Sequence, residues 1–179
     1  MRRALSSADA GDLVRAERDV QDRLHEVGID AQVDVDAMAA VANVFRVASA
    51  ARGHLERTVL ADAGLSFTAF TVMWVLWVWG VTESRELAID AGVTKGTLTG
   101  VVGTLERRGL VSRRRDAVDG RLVRVSTTTT GDALMAGLFA RFNDGERRLV
   151  AGLDDGEARQ LAHLLRKILR TTEELIGAR

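Results

Sequence analysis

Residues 65–131 read LSFTAFTVMWVLWVWGVTESRELAIDAGVTKGTLTGVVGTLERRGLVSRRRDAVDGRLVRVSTTTTG, and within them the spacing of apolar residues changes from helical to alternating. Ser66 is placed to cap a helix over 67–79, and Gly80 ends it. Thr82 or Ser84 opens a short helix running through Leu87 and Ala88 to Ala91, which Gly92 closes. Only Val93 and Thr94 separate it from a third helix. There Thr94 is the N-cap, Leu98, Val101, Val102 and Leu105 share one face, and Gly109 sits where a left-handed stop is needed. Two helices joined by so tight a turn predict a helix-turn-helix. After Gly109 the period shortens: 110–115 and 121–126 read as strands rich in branched residues, with Asp119-Gly120 as the turn, which predicts a basic β-hairpin.

Working outward, the helical period returns over 132–149 and 154–176. Upstream, Met38, Val41, Phe45, Ala48, Leu55 and Val59 recur at helical steps from Asp36 to about Gly64, with Asp34 or Asp36 as the cap. Residues 10–27 carry a narrow stripe of Leu13, Val14, Val20 and Leu24, and Gly28 stops it. The expected fold is mainly α: a winged helix-turn-helix with a small β-hairpin wing and long flanking dimerisation helices. Its predicted parts are an accessory N-terminal helix (1–30), a dimerisation helix (31–63), a DNA-binding winged helix (64–127) and C-terminal dimerisation helices (128–179).

Composition agrees and removes whole classes. The chain has 179 residues, 46% hydrophobic and 28% charged, as in an ordinary globular protein rather than a disordered one. It has no cysteine, so disulfides, thiolate metal sites and thiol redox switches are excluded. It also has no proline to interrupt long helices. The first residues, among them Ser6, Ser7, Asp9 and Asp12, form no apolar signal segment, and the longest apolar run, 72–81, is well short of the roughly 20 residues that span a bilayer. A cytoplasmic protein with no membrane partner is expected.

Formal charge is zero, yet it is unevenly placed. Residues 1–36 hold five basic and nine acidic groups, whereas 95–124 hold eight basic and three acidic, a net of +5 over the third helix and the hairpin. The major groove admits one α-helix, and arginines on a ribbon reach phosphates or the minor groove. The positive segment therefore coincides with the two elements that double-stranded DNA would meet, with Arg113, Arg114 and Arg115 available for phosphates.

These residues resemble the multiple-antibiotic-resistance regulator (MarR) family of winged-helix transcription factors. The join LERRGLVSRR and the DGR wing tip stand in that family's order and spacing. The resemblance implies a ligand-responsive homodimeric regulator, a repressor, that binds an inverted-repeat operator. It implies that Thr94, Lys95, Gly96, Thr97, Thr99 and Gly100 face the major groove. It also implies that Asp119, with Gly120 at the tip, holds Arg121 so that it enters the adjacent minor groove. Where the family often carries arginine this chain has Gly100 and Thr104, so base readout is expected to be sparse, with threonine contacts to thymine methyls and DNA shape contributing more. The accessory helix is similar to that of the urate-responsive branch, whose favoured aspartate and arginine are here Thr71 and Val101.

The family's effector pocket lies between helix 67–79 and the long dimerisation helix. Three tryptophans fall within 74–79, more indole than a small core needs, so Trp74, Trp77, Phe45 and His54 are candidate ligand-binding residues for an aromatic small-molecule effector. The same stripe also serves as core. His25, His54 and His163 stand apart without carboxylates at ligand spacing, and neither GTLTG nor GVVG has the lysine of a phosphate loop. No metal, cofactor or catalytic set is predicted, and an enzyme is not expected. The alternative to a DNA-binding regulator is a small-molecule-binding or protein-interaction module whose glycine-rich helix no longer reads DNA.

Overall fold

The computed structural model describes residues 10–117 and 119–177, and the chain divides into two compact units, Met1–Ala51 and Arg52–Arg179. The residues before Ala10, read above against a signal peptide, lie outside the described residues. No helix among those described is long and apolar enough to cross a membrane.

In the first unit, α1 (Ala10–Glu26) ends at Gly28, whose φ of +70° is a conformation that a β-carbon disfavours. A single 3₁₀ turn, Asp30–Gln32, leads to α2 (Val35–Leu55). Asp34 caps α2 by accepting from the Ala37 amide at 2.9 Å, as its position before an apolar-periodic run predicts. Glu17 on α1 accepts from Asn43 on α2 at 3.1 Å and lies 3.9 Å from Arg46.

The second unit contains the main core. The chain runs on from Leu55 as one π-helical segment, Glu56–Leu60, and then through α3 (Phe67–Trp79), β1 (Thr82–Glu83), α4 (Ser84–Asp90), α5 (Lys95–Arg107), β2 (Val111–Arg115), β3 (Val123–Thr127), α6 (Thr129–Leu149) and α7 (Asp155–Gly177). Apolar residues surround α3, so Val72, Met73, Val75 and Leu76 are all buried, and Leu87, Leu105, Val111, Val125, Met135 and Leu138 close around them. Ser66 and Thr128 cap α3 and α6 through the amides of Ala69 and Gly131.

The hairpin belongs to a three-stranded antiparallel sheet ordered β1-β3-β2. Sequence periodicity missed β1, which pairs Thr82 with Val125 and Glu83 with Arg124. The second hairpin strand also begins at Val123 rather than Arg121. The amide of Leu122 donates to Asp119 O at 2.9 Å, which keeps residues 121 and 122 in the turn.

Candidate nucleic-acid interface

The helix-turn-helix forms as its caps dictate. Gly92 takes φ +64°, the Val93 amide closes onto Ala88 O at 2.9 Å, and Thr94 starts α5 by accepting from the Thr97 amide at 3.2 Å. Leu98, Val102 and Leu105, each no more than 3% exposed, fasten one face of α5 to the core. The opposite face is open: Thr94, Lys95, Gly96, Thr97, Thr99 and Gly100 are all exposed, and a β-carbon built on Gly100 would meet nothing within 4 Å. Just past the helix, Arg108 donates at 2.7 Å to both Ala63 O and Gly64 O, tying the end of α5 to the turn before α3. Charge-assisted bonds of this kind are stronger than neutral ones and commit both terminal nitrogens of the guanidinium to the main chain.

The wing arginines divide into two kinds. Arg113 is engaged: its main-chain amide donates to Glu106 Oε1 at 3.1 Å, its Nε to Glu106 Oε2 at 2.9 Å, and its Nη2 makes a further ion pair with the same oxygen. Through these bonds the Arg113 guanidinium holds the Glu106 carboxyl below its usual pKa. Arg114, Arg115 and Arg121 are exposed, and their guanidiniums have no partner among the described residues. At the tip, Asp119 holds Arg121 by its main chain, its Oδ1 accepting the Arg121 amide at 3.0 Å. Asp116 accepts the Asp119 amide at 3.1 Å and ion-pairs with Arg124, which stands across the ladder from Arg114. Gly120 is exposed in this turn. Sequence reasoning missed Glu106, Asp116 and Arg124, because a residue seven or eight positions away is brought alongside only by the fold. It also missed Arg85, which with Lys95 and Arg113 rims a concavity of about 600 Å³ between α4, α5 and the wing.

A second cleft, of about 390 Å³, opens in the same unit between α3 and α6 and is lined by Leu55, Phe67, Phe70, Thr71, Trp74, Phe139, Phe142 and Glu146. Phe70 and Phe142 stack with centroids 4.1 Å apart. Arg52 lies over the Phe67 ring, 5.2 Å from its centroid, and donates to Thr68 Oγ1 at 3.0 Å. Of the four candidate ligand residues, Trp74 lines this cleft. Trp77 packs on Phe139 at 5.6 Å, and His54 is half-buried outside the lining. Phe45 belongs to the first unit and is 70% exposed. Sequence reasoning missed Phe139, Phe142 and Glu146, which α6 supplies from far along the chain.

A family model described as the MarR family matches residues 65–123. YwaE of Bacillus subtilis, described as an uncharacterized HTH-type transcriptional regulator, is 34% identical over 156 residues, covering 87% of this chain and 91% of that protein. Among solved structures, the PcaV transcriptional regulator of Streptomyces coelicolor, in complex with its natural ligand, is similar with a TM-score of 0.68 at 23% identity, covering 78% of this chain and 97% of that one. BpsR of Bordetella bronchiseptica, whose structure concerns regulation of its DNA binding by 6-hydroxynicotinic acid, is similar with a TM-score of 0.65 at 24% identity, covering 70% of this chain and 94% of that one.

Proposed function

The chain belongs to the MarR family of transcriptional regulators, and from that membership we propose that it works in the cytoplasm as a homodimeric repressor, reading an inverted repeat in double-stranded DNA and releasing it when a small aromatic molecule binds. One observation carries the reading: the open face of α5 lies beside a wing whose Arg114, Arg115 and Arg121 are unpaired among the described residues. Residues 64–127 bind DNA, 31–63 and 128–179 pair the protomers, and 1–30 are accessory. In this reading the exposed residues from Thr94 to Gly100 enter the major groove, Arg114 and Arg115 meet phosphates, and Arg121 enters the adjacent minor groove from the tip that Asp119 and Gly120 shape. Arg113, held by Glu106, sets the wing against α5.

For the effector, the aromatic walls of the α3–α6 cleft suit a planar ring, and Arg52 beside Phe67 offers a cation to an acid group. The regulation of BpsR by 6-hydroxynicotinic acid supports an effector of this kind. Such a ligand releases DNA only through different affinities for the two states, a coupling typically worth about 1 to 3 kcal/mol.

The test is an electrophoretic shift with the protein's own upstream DNA over a salt series. Log affinity falls linearly with log salt, Lys95→Ala reduces the slope by about one, and Arg121→Ala weakens binding more than Arg114→Ala or Arg115→Ala. Absence of any shift at low salt favours the module that no longer reads DNA. Tryptophan fluorescence during titration with aromatic acids, repeated with Trp74→Phe, tests the cleft: a Trp74→Phe protein that keeps the full quench defeats that assignment.

A further inference from the structure

The face that α5 leaves open is poor in hydrogen-bond donors. Its first three turns expose Lys95, Thr97, Thr99 and Thr104 together with Gly96 and Gly100. The threonine hydroxyl protons are largely committed. Thr99 Oγ1 donates back to Lys95 O at 2.9 Å, and Thr104 Oγ1 donates to Gly100 O at 3.1 Å. Thr97 and Thr94 share a hydroxyl–hydroxyl bond of 2.9 Å, which uses one of that pair's two protons, while Thr94 Oγ1 also accepts the Thr97 amide. What these side chains have left for a partner is chiefly oxygen lone pairs and methyl groups.

That inventory acts as a selection rule on base edges. In the major groove guanine shows only acceptors, N7 and O6, whereas adenine and cytosine show amino donors and thymine a methyl group. A threonine whose proton is committed accepts from an amino group or packs on a methyl, but it has nothing to donate to guanine. Freeing the proton exchanges one hydrogen bond for another and brings no net gain. Among these residues Lys95 keeps donors to spare, and the Thr94–Thr97 pair keeps one hydroxyl proton. Arg107 stands in the last turn, away from the N-terminal part of a recognition helix that meets base edges, and its Nη2 folds back to donate to Thr104 Oγ1 at 2.9 Å.

We infer that α5 reads thymine methyl groups and the amino groups of adenine and cytosine, and that it donates to a guanine edge only within reach of Lys95 and the Thr94–Thr97 pair. The inference rests on α5 being the helix that enters the major groove. The experiment is selection from a random-sequence duplex library by the full-length protein, followed by affinity measurements on the selected duplex. In the selected half-site, replacing a guanine outside that reach by 7-deazaguanine, which removes only the N7 acceptor, leaves affinity unchanged. Replacing a contacted thymine by uracil, which removes only its methyl, lowers affinity about fourfold, the equivalent of one buried methyl group. Gly100→Arg, built into open space, turns the adjacent position toward guanine. A loss of affinity when a half-site guanine outside that reach becomes 7-deazaguanine, or uracil duplexes bound as tightly as thymine duplexes, overturns the inference while leaving DNA binding intact. A library that yields no consensus, with binding that follows salt alone, removes the operator reading and this inference with it.

Discussion

Gly131, in the first turn of α6, has no room for a side chain: a β-carbon there would stand 2.1 Å from Leu110 O and 3.2 Å from Met73 Cε. The obstacle is main chain, and it is fixed further because Leu110 O accepts the Thr128 amide at 3.0 Å. Gly131→Ala is therefore expected to lower stability by about 3 kcal/mol, the upper part of the range for overpacking, read as a fall in the urea midpoint with an unchanged slope. Gly145→Ala meets the end of a flexible side chain, Leu55 Cδ2, at 2.6 Å, and costs less because that methyl can turn aside. Gly100→Ala meets nothing and should raise stability by up to about 1 kcal/mol through helix propensity. An equal response at all three positions would show that close approach does not govern them. Gly92 and Gly109 were readable because they stand where helices must stop. Gly131 stands just before the periodic run 132–149, and its contact with Leu110, some twenty residues earlier and next to β2, leaves no local trace.

At the scale of elements, the wing is fastened to α5 by a titratable pair. Arg113 holds the Glu106 carboxyl below its usual value of 4.5, so the ionised pair stabilises the attachment fully above that value and is lost as pH falls through the lowered one. Acidification below the ordinary carboxylate range should loosen the wing from α5 before the core unfolds, seen as earlier amide exchange in β2 and β3. Glu106→Gln should show faster wing exchange already at neutral pH and no acid step. An acid step of unchanged size in that variant would place its origin elsewhere. The hairpin itself was legible because runs rich in branched residues stand on either side of Asp119-Gly120, and the helix-turn-helix because Ser66, Gly80, Gly92 and Thr94 punctuate it. β1 was not, since two residues are too few to show a period and Thr82 is drawn into the sheet by its pairing with Val125. The α3–α6 cleft was half legible: the aromatic spacing on α3 announced Trp74, while Phe139, Phe142 and Glu146 become neighbours only through tertiary packing.

At the scale of the whole molecule, the proposed dimer rests on apolar surface that one protomer leaves open. Every described residue of α7 except Ala158 and Ala162 is exposed. Leu161, Leu164, Leu165 and Ile168 nevertheless recur at helical steps along one stripe, and Leu175 and Ile176 continue it at 68% and 70% exposure. A stripe this continuous is costly to leave in water, and in a symmetric dimer the same patch on a second copy covers it. Two α5 helices about 34 Å apart would then meet successive turns of one DNA face, so that binding of the second half-site becomes intramolecular. Leu164→Glu combined with Ile168→Glu places two carboxylates in the stripe without touching the buried core of the protomer. The expected result is a protein with unchanged far-ultraviolet circular dichroism, half the parent's mass by light scattering at micromolar concentration, and operator affinity lower by about 10² or more as the bivalent advantage disappears. Nonspecific binding at low salt should change far less, because each wing and α5 remain intact. A parent protein that is already monomeric at micromolar concentration, or a double variant that keeps the parent's mass, would show that the α7 stripe does not join two copies.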